Sequence, residues 1–320
     1  YLDKNQDPLA AFDQAVSDLE TMLKTLKAPL IPRSLSPCPD ISLQAQTPAD
    51  EYMAGVETIK HHIVEGDIFQ AVYSQPFSCT TNVDPLQIYR AQRYINPSPY
   101  MFFMNFTDLV IAGSSPETMV RLENGVATLR PIAGTRPRGE TEQEDRKLAD
   151  ELLNDEKEKA EHVMLIDLGR NDLGRVAEAG TVQVTDTMVI ERYSHVMHLV
   201  SNITCDIKAG LDAYDLFKAT FPAGTLTGAP KIRAMEVISG LEKTPRKVYG
   251  GAAGYISFTG NMDFAITIRT AVMEGSTLTV QAGAGIVHDS DPAAELQECR
   301  NKAKSVEAAL KFALSHTNGD

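Results

Sequence analysis

Residues 118–134 read TMVRLENGVATLRPIAG, and this stretch decides the fold class. Its two halves are rich in residues that favour strands, and Asn124-Gly125 stands between them. Asn-Gly suits the two-residue turn of a β-hairpin, because both positions of that turn take a positive φ. The stretch therefore predicts two antiparallel strands joined by a tight turn.

Similar strand patterns recur on both sides of this hairpin. Strands are predicted at 68–79, 109–115, 195–207, 250–258 and 264–287. Helical spacing of apolar residues predicts helices at 11–30, 51–67, 142–172 (in broken form), 211–220, 229–240 and 292–313. The strands come in hairpin-like runs rather than alternating with helices. This order favours an α+β fold of antiparallel sheets with helices packed outside.

Bulk composition excludes several classes of protein. The chain has 320 residues, 43% of them hydrophobic, and a net charge of −13. That charge argues against nucleic acid as a partner, because nucleic-acid binding depends on Lys and Arg neutralising phosphates. No apolar run reaches the roughly 18 residues of a membrane span. The scattered cysteines have no metal-ligand spacing and indicate reduced thiols of the cytoplasm.

The front of the chain has a different character from the rest. Residues 31–50 carry four prolines among serines and predict an extended linker. The chain opens at Tyr1 without a visible signal peptide, so we expect a piece of a longer protein.

Two helices carry carboxylates at spacings that place them on one face. Glu158 and Glu161 are three residues apart, and Glu295, Glu298 and Lys302 follow each other at intervals of three and four. Carboxylate pairs from two helices suit Mg²⁺, which prefers oxygen ligands. The alternative is also common: such pairs are usually solvated helix faces, with the lysine forming a salt bridge along its own helix.

Other stretches could hold an anion or move a proton. Arg136 and Arg138 lie next to the flexible backbone at Gly134 and could form a cradle for an anion. The helix entry at Gly224-Thr225 and the glycines of 279–287 could also bind an anion, through exposed backbone N–H groups. Helix entries and tight turns explain the last two equally well. His198 lies in a strand, where His195 would point to the opposite face. A strand histidine is usually structural.

The order of these segments is more specific than any one of them. Segments 131–139, 160–176, 193–201, 222–238, 249–255, 268–272 and 281–305 follow one another as in chorismate-utilising enzymes. The resemblance covers residues 50–312 and is closest to the large components that make anthranilate for tryptophan biosynthesis. It implies two stacked antiparallel sheets flanked by helices. It also implies a catalytic domain at 50–313, a remnant of an N-terminal domain and linker at 1–49, and a tail at 314–320.

The resemblance also implies roles for individual residues. Mg²⁺ would be bound by Glu161 and Glu298, with Glu158 and Glu295 in or just behind that shell. Glu117 would face the amination centre and His198 would serve the elimination. The substrate's carboxylates would meet Thr225, Tyr249, Arg269 and the backbone at Gly283 and Gly285, with Lys302 nearby, while its ring would lie against Gly134 and Thr135.

Two positions select among the reactions of this family. Relatives that make aminodeoxychorismate carry a nucleophilic lysine where Ala133 stands, and isochorismate and salicylate synthases carry a water-activating lysine where Gln70 stands. The resemblance therefore implies that ammonia, supplied by a separate glutamine amidotransferase subunit, attacks chorismate. The alternatives are those other synthase reactions, or a non-catalytic scaffold that only binds the amidotransferase.

The stretch NPSPYMFFM at 96–104 resembles a tryptophan-contacting strand. Pro99, Tyr100 and Met101 would form one wall of an effector pocket. In the family, the other wall comes from the N-terminal domain, so we expect tryptophan inhibition to be lost here.

Overall fold

The computed structural model describes residues 7–29, 41–193 and 196–315. The chain divides into two units, Tyr1–Pro37 with Thr317–Asp320, and Cys38–His316. In the described part of the first unit, α1 (Pro8–Lys27) begins where the Asp7 carboxylate accepts a hydrogen bond from the Leu9 N–H. This helix confirms the one predicted from the spacing of apolar residues at 11–30, with bounds three residues nearer the N-terminus. Residues 31–40 of the predicted linker, and His195, lie outside the described residues.

The helices of the second unit largely agree with the predicted ones. They are α2 (Ala49–Val64), α3 (Pro85–Ile95), α4 (Glu142–Asn154), α5 (Glu156–Gly174), α6 (Ala213–Thr220), α7 (Gly224–Thr227), α8 (Lys231–Leu241) and α9 (Pro292–Ser315). The break inside 142–172 falls at Asp155, whose side chain accepts from the N–H groups of Lys157 and Glu158 and so caps α5. The pattern did not predict α3 or the short α7.

The strands form two antiparallel sheets, each of seven strands in the described residues. They are β1 (Gln44–Ala45), β2 (Gln70–Thr80), β3 (Tyr100–Asn105), β4 (Leu109–Ser115), β5 (Thr118–Glu123), β6 (Val126–Leu129), β7 (Ile132–Pro137), β8 (Gln183–Arg192), β9 (Val196–Asp206), β10 (Gly228–Ala229), β11 (Ala252–Ile256), β12 (Met262–Ile266), β13 (Thr270–Glu274) and β14 (Thr277–Ile286). Sheet A has the order β1-β2-β14-β13-β4-β3, with β10 also paired to β2. Sheet B has the order β11-β12-β5-β6-β9-β7, with β8 also paired to β9. The α+β class of two antiparallel sheets with helices is confirmed.

The hairpin that decides the class is present as β5 and β6. Glu123 pairs with Val126, so the turn contains Asn124 and Gly125 alone. Their φ angles are 52° and 84°, as the Asn-Gly pair predicts.

Each sheet buries one face against helices. Sheet A packs against α2, α3, α8 and α9 through a cluster that includes Ile59, Phe77, Ile88, Leu278 and Val306. Sheet B packs against α5 and α6 through a second cluster that includes Val120, Ile203, Leu173 and Leu216. Among the described residues, none of the helices combines the length and the apolar composition that crossing a membrane requires.

The chain passes from one sheet to the other at two neighbouring places. Pro116 and Glu117 connect β4 of sheet A to β5 of sheet B, and residues 267–269 connect β12 of sheet B to β13 of sheet A. The Ile266 N–H donates to the Glu117 carbonyl at 3.0 Å, which joins the two crossings. Glu117 and Arg269 are therefore held next to each other by the topology.

The turn of the β5–β6 hairpin generates a prediction about stability. Among the described atoms, a Cβ at Gly125 or at Gly174 meets nothing within 4 Å, but of these two glycines only Gly125 has a positive φ, of +84°. Gly125→Ala should therefore lower the free energy of unfolding by about 1 kcal/mol through backbone strain. Gly174→Ala, at the end of α5, should be neutral or stabilising. Urea denaturation measures both variants, and equal shifts would show that the positive φ carries no cost.

Candidate active site

A cavity of about 610 Å³ lies between the two sheets and holds most of the predicted site residues. Those that line it are Pro99, Glu117, Gly134, Thr135, His198, Thr225, Tyr249, Arg269, Gly283, Gly285, Glu298 and Lys302. Ala133, one of the two positions expected to select among the family's reactions, lines it as well. The chain thus brings together side chains that are up to 203 positions apart in sequence, from Pro99 to Lys302.

Five of the predicted residues lie outside the lining. Glu158, Glu161 and Glu295 are half-buried behind the wall, on α5 and α9. Tyr100 and Met101 are half-buried on β3, at the edge of sheet A. The Tyr100 hydroxyl donates to Asp263 at 2.8 Å and contacts the Thr118 hydroxyl at 2.9 Å.

His198 is oriented by a bulge in the strand beside it. The register of β7 on β9 shifts between Ala133 and Thr135, and Gly134 is the extra residue, with φ +61°. His198 Nδ1 lies 3.1 Å from the Gly134 carbonyl oxygen and 3.0 Å from Thr135 Oγ1. Because a carbonyl can only accept, Nδ1 carries the proton and Nε2 keeps its lone pair.

The surroundings of His198 also favour its neutral form. Burial lowers the pKa of His198, and the positive charge of Arg269 lowers it further, while the Gly134 carbonyl and Glu191 act in the opposite direction. The Tyr193 ring packs edge-on against the imidazole with 5.6 Å between the ring centroids. An imidazole held neutral with a bare Nε2 is equipped to accept a proton.

Arg269 stands on the link between β12 and β13 in a left-handed conformation, with φ +49°. Its carbonyl accepts from the Ser114 N–H and from Gln92 Nε2, both at 3.3 Å. Arg269 lines the cavity, and burial lowers the pKa of its guanidinium. Among the described residues no carboxylate forms an ion pair with Arg269, so its donors can bind a carboxylate of a ligand.

Glu117 and Thr225 line the same cavity as Arg269, whose charge acts on the Glu117 carboxyl. Burial raises the pKa of the Glu117 carboxyl, while the nearby Thr225 hydroxyl and the charges of Lys302 and Arg269 lower it. The Thr225 hydroxyl approaches that carboxyl without meeting hydrogen-bond geometry, so its buried Oγ1 has no hydrogen-bond partner in the residues that the structure describes. A carboxyl with a raised pKa can deliver a proton nearer neutral pH than an ordinary glutamate.

The acidic residues of α5 and α9 crowd one wall of the cavity. Burial raises the pKa of Glu161, and the charges of Glu158 and Glu298 raise it further. Lys302 Nζ lies 2.7 Å from Glu298 and donates to the Gly283 carbonyl at 2.9 Å. Among the described side chains, no cation forms an ion pair with Glu161. This half-buried carboxyl therefore lies beside the carboxyls of Glu158 and Glu298 without a positive charge of its own to offset them.

The proposed arginine cradle at 136 and 138 is wrong. Arg136 lies 2.8 Å from Asp155 and 3.4 Å from Glu158, and Arg138 forms a two-pronged contact with Asp145. These acids belong to α4 and α5, which pack directly against the strand that carries the arginines. Both guanidinium groups are therefore already neutralised, and they brace the wall rather than bind an anion.

A family model for chorismate binding enzymes matches residues 4–308. The chain belongs to the chorismate-binding enzyme family. Anthranilate synthase component 1 of Pseudomonas putida is 51% identical over 308 residues, which are 95% of this chain and 62% of that protein. The chain thus spans a little under two thirds of the length of that relative.

Solved structures of this family have the same fold. Anthranilate synthase component I from Streptococcus pneumoniae TIGR4 superposes with a TM-score of 0.86 at 44% identity, over 95% of this chain and 67% of that one. The menaquinone-specific isochorismate synthase of Escherichia coli superposes with a TM-score of 0.80 at 25% identity, over 92% of this chain and 68% of that one. The fold is shared across different reactions, so the side chains of the cavity must distinguish them.

Arg246 supports the residues that line the cavity, and the sequence patterns did not indicate this role. It pairs with Glu242, and its guanidinium also donates to the carbonyls of Leu226 and Val72. The guanidinium carbon lies 5.6 Å from the centre of the Tyr249 ring. Arg246 thus fixes the turn that follows Thr225 and one face of Tyr249. The Glu-to-Arg spacing of four was visible in sequence, but the carbonyl partners were not.

A second group of potential ligands lies away from the cavity. Among the described residues, those whose donor atoms lie within 4.8 Å of one another are His62, Glu65 and Asp67. Asp67 already accepts from Arg233 at 2.7 Å and contacts His62 at 2.8 Å. A guanidinium therefore supplies the positive charge there.

The buried Arg246–Glu242 pair generates a prediction about stability. Their side chains are 18% and 7% exposed, so Arg246→Met would leave Glu242 as an unpaired buried charge. The free energy of unfolding should fall by about 3–5 kcal/mol. Arg246→Met combined with Glu242→Gln should recover a large part of that loss. If the double variant is as unstable as the single one in urea, the hydrogen bonds to the carbonyls dominate instead of the charge.

Proposed function

We propose that this chain is the catalytic component of an anthranilate synthase. Chorismate and ammonia would give anthranilate, pyruvate and water, with Mg²⁺ bound at the acidic wall. One observation carries this choice within the family. Lys302 is the only lysine among the described residues that line the cavity, and Glu298 and the Gly283 carbonyl hold its Nζ. With Ala133 and Gln70 at the two selective positions, ammonia itself must be the nucleophile.

The acidic wall fits Mg²⁺. Glu161 is a half-buried carboxylate that forms no ion pair with a cationic side chain among the described residues. Burial raises its pKa, and the charges of Glu158 and Glu298 raise it further. A divalent cation relieves this repulsion and binds carboxylate oxygens by preference. We assign Glu161 and Glu298 as ligands, with Glu158 and Glu295 in or just behind that shell. The bound ion would neutralise a substrate carboxylate and assist loss of the ring hydroxyl.

Binding of chorismate, which carries two carboxylates, falls to the cationic and hydroxyl groups of the cavity. Arg269 would hold one carboxylate through two parallel hydrogen bonds. The Thr225 hydroxyl and the Tyr249 side chain would also contact this carboxylate, together with the backbone at Gly283 and Gly285. The ring would lie against Gly134 and Thr135, where the bulge brings the backbone close.

Two proton transfers follow from the positions of Glu117 and His198. Ammonia attacks the ring carbon ortho to the ring carboxylate, and the hydroxyl departs with a proton that Glu117 would supply. His198 Nε2 would then take the proton from the aminated carbon, while the bond from the ring to the enolpyruvyl oxygen breaks. The electrons of that bond leave with the enolate of pyruvate, which becomes pyruvate when its methylene carbon takes up a proton. The electron pair of the ring C–H bond completes the aromatic ring.

Several parts of this proposal depend on relatives. The relative from Pseudomonas putida is named component 1 of anthranilate synthase, and we propose a glutamine amidotransferase as the partner that releases ammonia. Pro99, Tyr100 and Met101 would contact tryptophan as an effector. We place the protein in the cytoplasm, where reduced thiols such as those of Cys205 and Cys299 persist.

Product analysis tests the proposal. With chorismate, ammonium and Mg²⁺, the chain should release fluorescent anthranilate and an equal amount of pyruvate. Glutamine should replace ammonium only when an amidotransferase subunit is added. Isochorismate, salicylate or 4-amino-4-deoxychorismate as the main product would contradict the assignment, and so would complete failure to turn over chorismate, as expected of a scaffold.

The acid limb of the pH–rate profile for the elimination step should report the protonation of His198. The aminated intermediate, supplied directly, removes the dependence on ammonia. Because the pKa of His198 is lowered, the neutral base persists as the pH falls through 6.5, its ordinary value, and the rate should drop only below that pH. His198→Ala should lose about 10²–10⁴-fold in this step. It should also lose that acid limb, and an unchanged limb in the variant would assign the titration to another group.

A further inference from the structure

Gln70 stands where isochorismate and salicylate synthases carry a lysine. The absence of that lysine does not explain the contact that the Gln70 side chain makes. It is the first residue of β2 and is 4% exposed. Its Nε2 donates to Glu161 Oε1 at 3.3 Å. Its Oε1 is buried and has no hydrogen-bond partner among the described residues. The side chain is therefore held in place by one interaction, with the carboxylate that we assign to Mg²⁺.

The glycine on the neighbouring strand leaves space for this contact. Gly285 of β14 lies opposite Val72 of β2, beside Gln70. A Cβ at Gly285 would come within 2.5 Å of Gln70 Nε2, and 4.0 Å from Glu161 Oε1. Atoms cannot approach that closely, so an alanine would push the amide away from Glu161. The φ of Gly285 is not in the left-handed region, so backbone strain does not explain the glycine, whereas the space for the Gln70 amide does.

We propose that Gln70 is a positioning residue that orients Glu161 for a divalent cation, and that Gly285 is glycine because the Gln70 amide needs its space. The inference rests on the proposed function, since it takes Glu161 as a ligand. An amide orients a carboxylate without cancelling its charge, whereas Arg136 and Lys302 partly neutralise Glu158 and Glu298. Glu161 is thus held in a fixed direction by a neutral partner.

The same strand offers a matched control. Gln75 is also fully buried, and within the described part of the chain neither polar atom of its amide has a hydrogen-bond partner. Gln70→Met and Gln75→Met make the same chemical change five residues apart. Only the first removes a donor from Glu161.

Calorimetric titration with Mg²⁺ alone, without substrate, tests the inference. Gln70→Met and Gly285→Ala should each weaken Mg²⁺ binding about 10–100-fold, as losses around a metal ligand do. Gln75→Met should bind like the parent. The combination of Gln70→Met and Gly285→Ala should be no weaker than either single variant, because both remove the same hydrogen bond. Urea unfolding without Mg²⁺ confirms that each variant is folded.

Activity provides a second readout that a general structural defect does not move. Anthranilate formation by Gln70→Met should return towards the parental rate when Mg²⁺ is raised by the same factor as its affinity is lost. Parental Mg²⁺ affinity in Gln70→Met, or equal losses in Gln70→Met and Gln75→Met, would overturn the inference. Glu161→Gln separates the two proposals: if it also binds Mg²⁺ like the parent, the metal site itself is misassigned.

Discussion

Negative charge gathered at one wall is the constraint around which the cavity is arranged. Helices α5 and α9 bring Glu158, Glu161, Glu295 and Glu298 to the same side of it, in a chain of net charge −13. Burial raises the pKa of Glu161 and of Glu295, and neighbouring glutamates raise both further. Such a wall repels an anionic substrate unless cations intervene. Arg136, Lys302 and the proposed Mg²⁺ each counter part of that charge.

The opposite side of the cavity is built by the topology of the sheets. Two crossings between sheets A and B carry Glu117 and Arg269, and one backbone hydrogen bond joins them. The bulge at Gly134 turns a carbonyl onto His198 and so fixes which imidazole nitrogen is bare. An acid, a base and an arginine therefore reach one space from rigid strand ends. Residues set this way need little rearrangement to act, which is how enzymes lower the cost of orientation.

Much of this arrangement could be predicted from sequence where the signal was local. The Asn124-Gly125 hairpin, the break between α4 and α5 and the glutamates of α5 and α9 followed from turn chemistry and helical spacing. Helix α3 was missed although Asp84 and Pro85 form an ordinary helix start. Strand β8 was missed because two register shifts interrupt its alternation. The arginine cradle failed because the partners of Arg136 and Arg138 depend on how α4 and α5 pack, which spacing along one strand cannot show.

The central claim is that a cation at the acidic wall makes the cavity able to bind a dianion. Binding of chorismate by calorimetry, without ammonia and at rising Mg²⁺, tests it most directly. If both occupy one site, each must tighten the binding of the other by the same factor. We predict that chorismate binds at least tenfold more tightly at saturating Mg²⁺, and that Glu161→Gln removes this coupling. Chorismate affinity that does not change with Mg²⁺ would contradict the account.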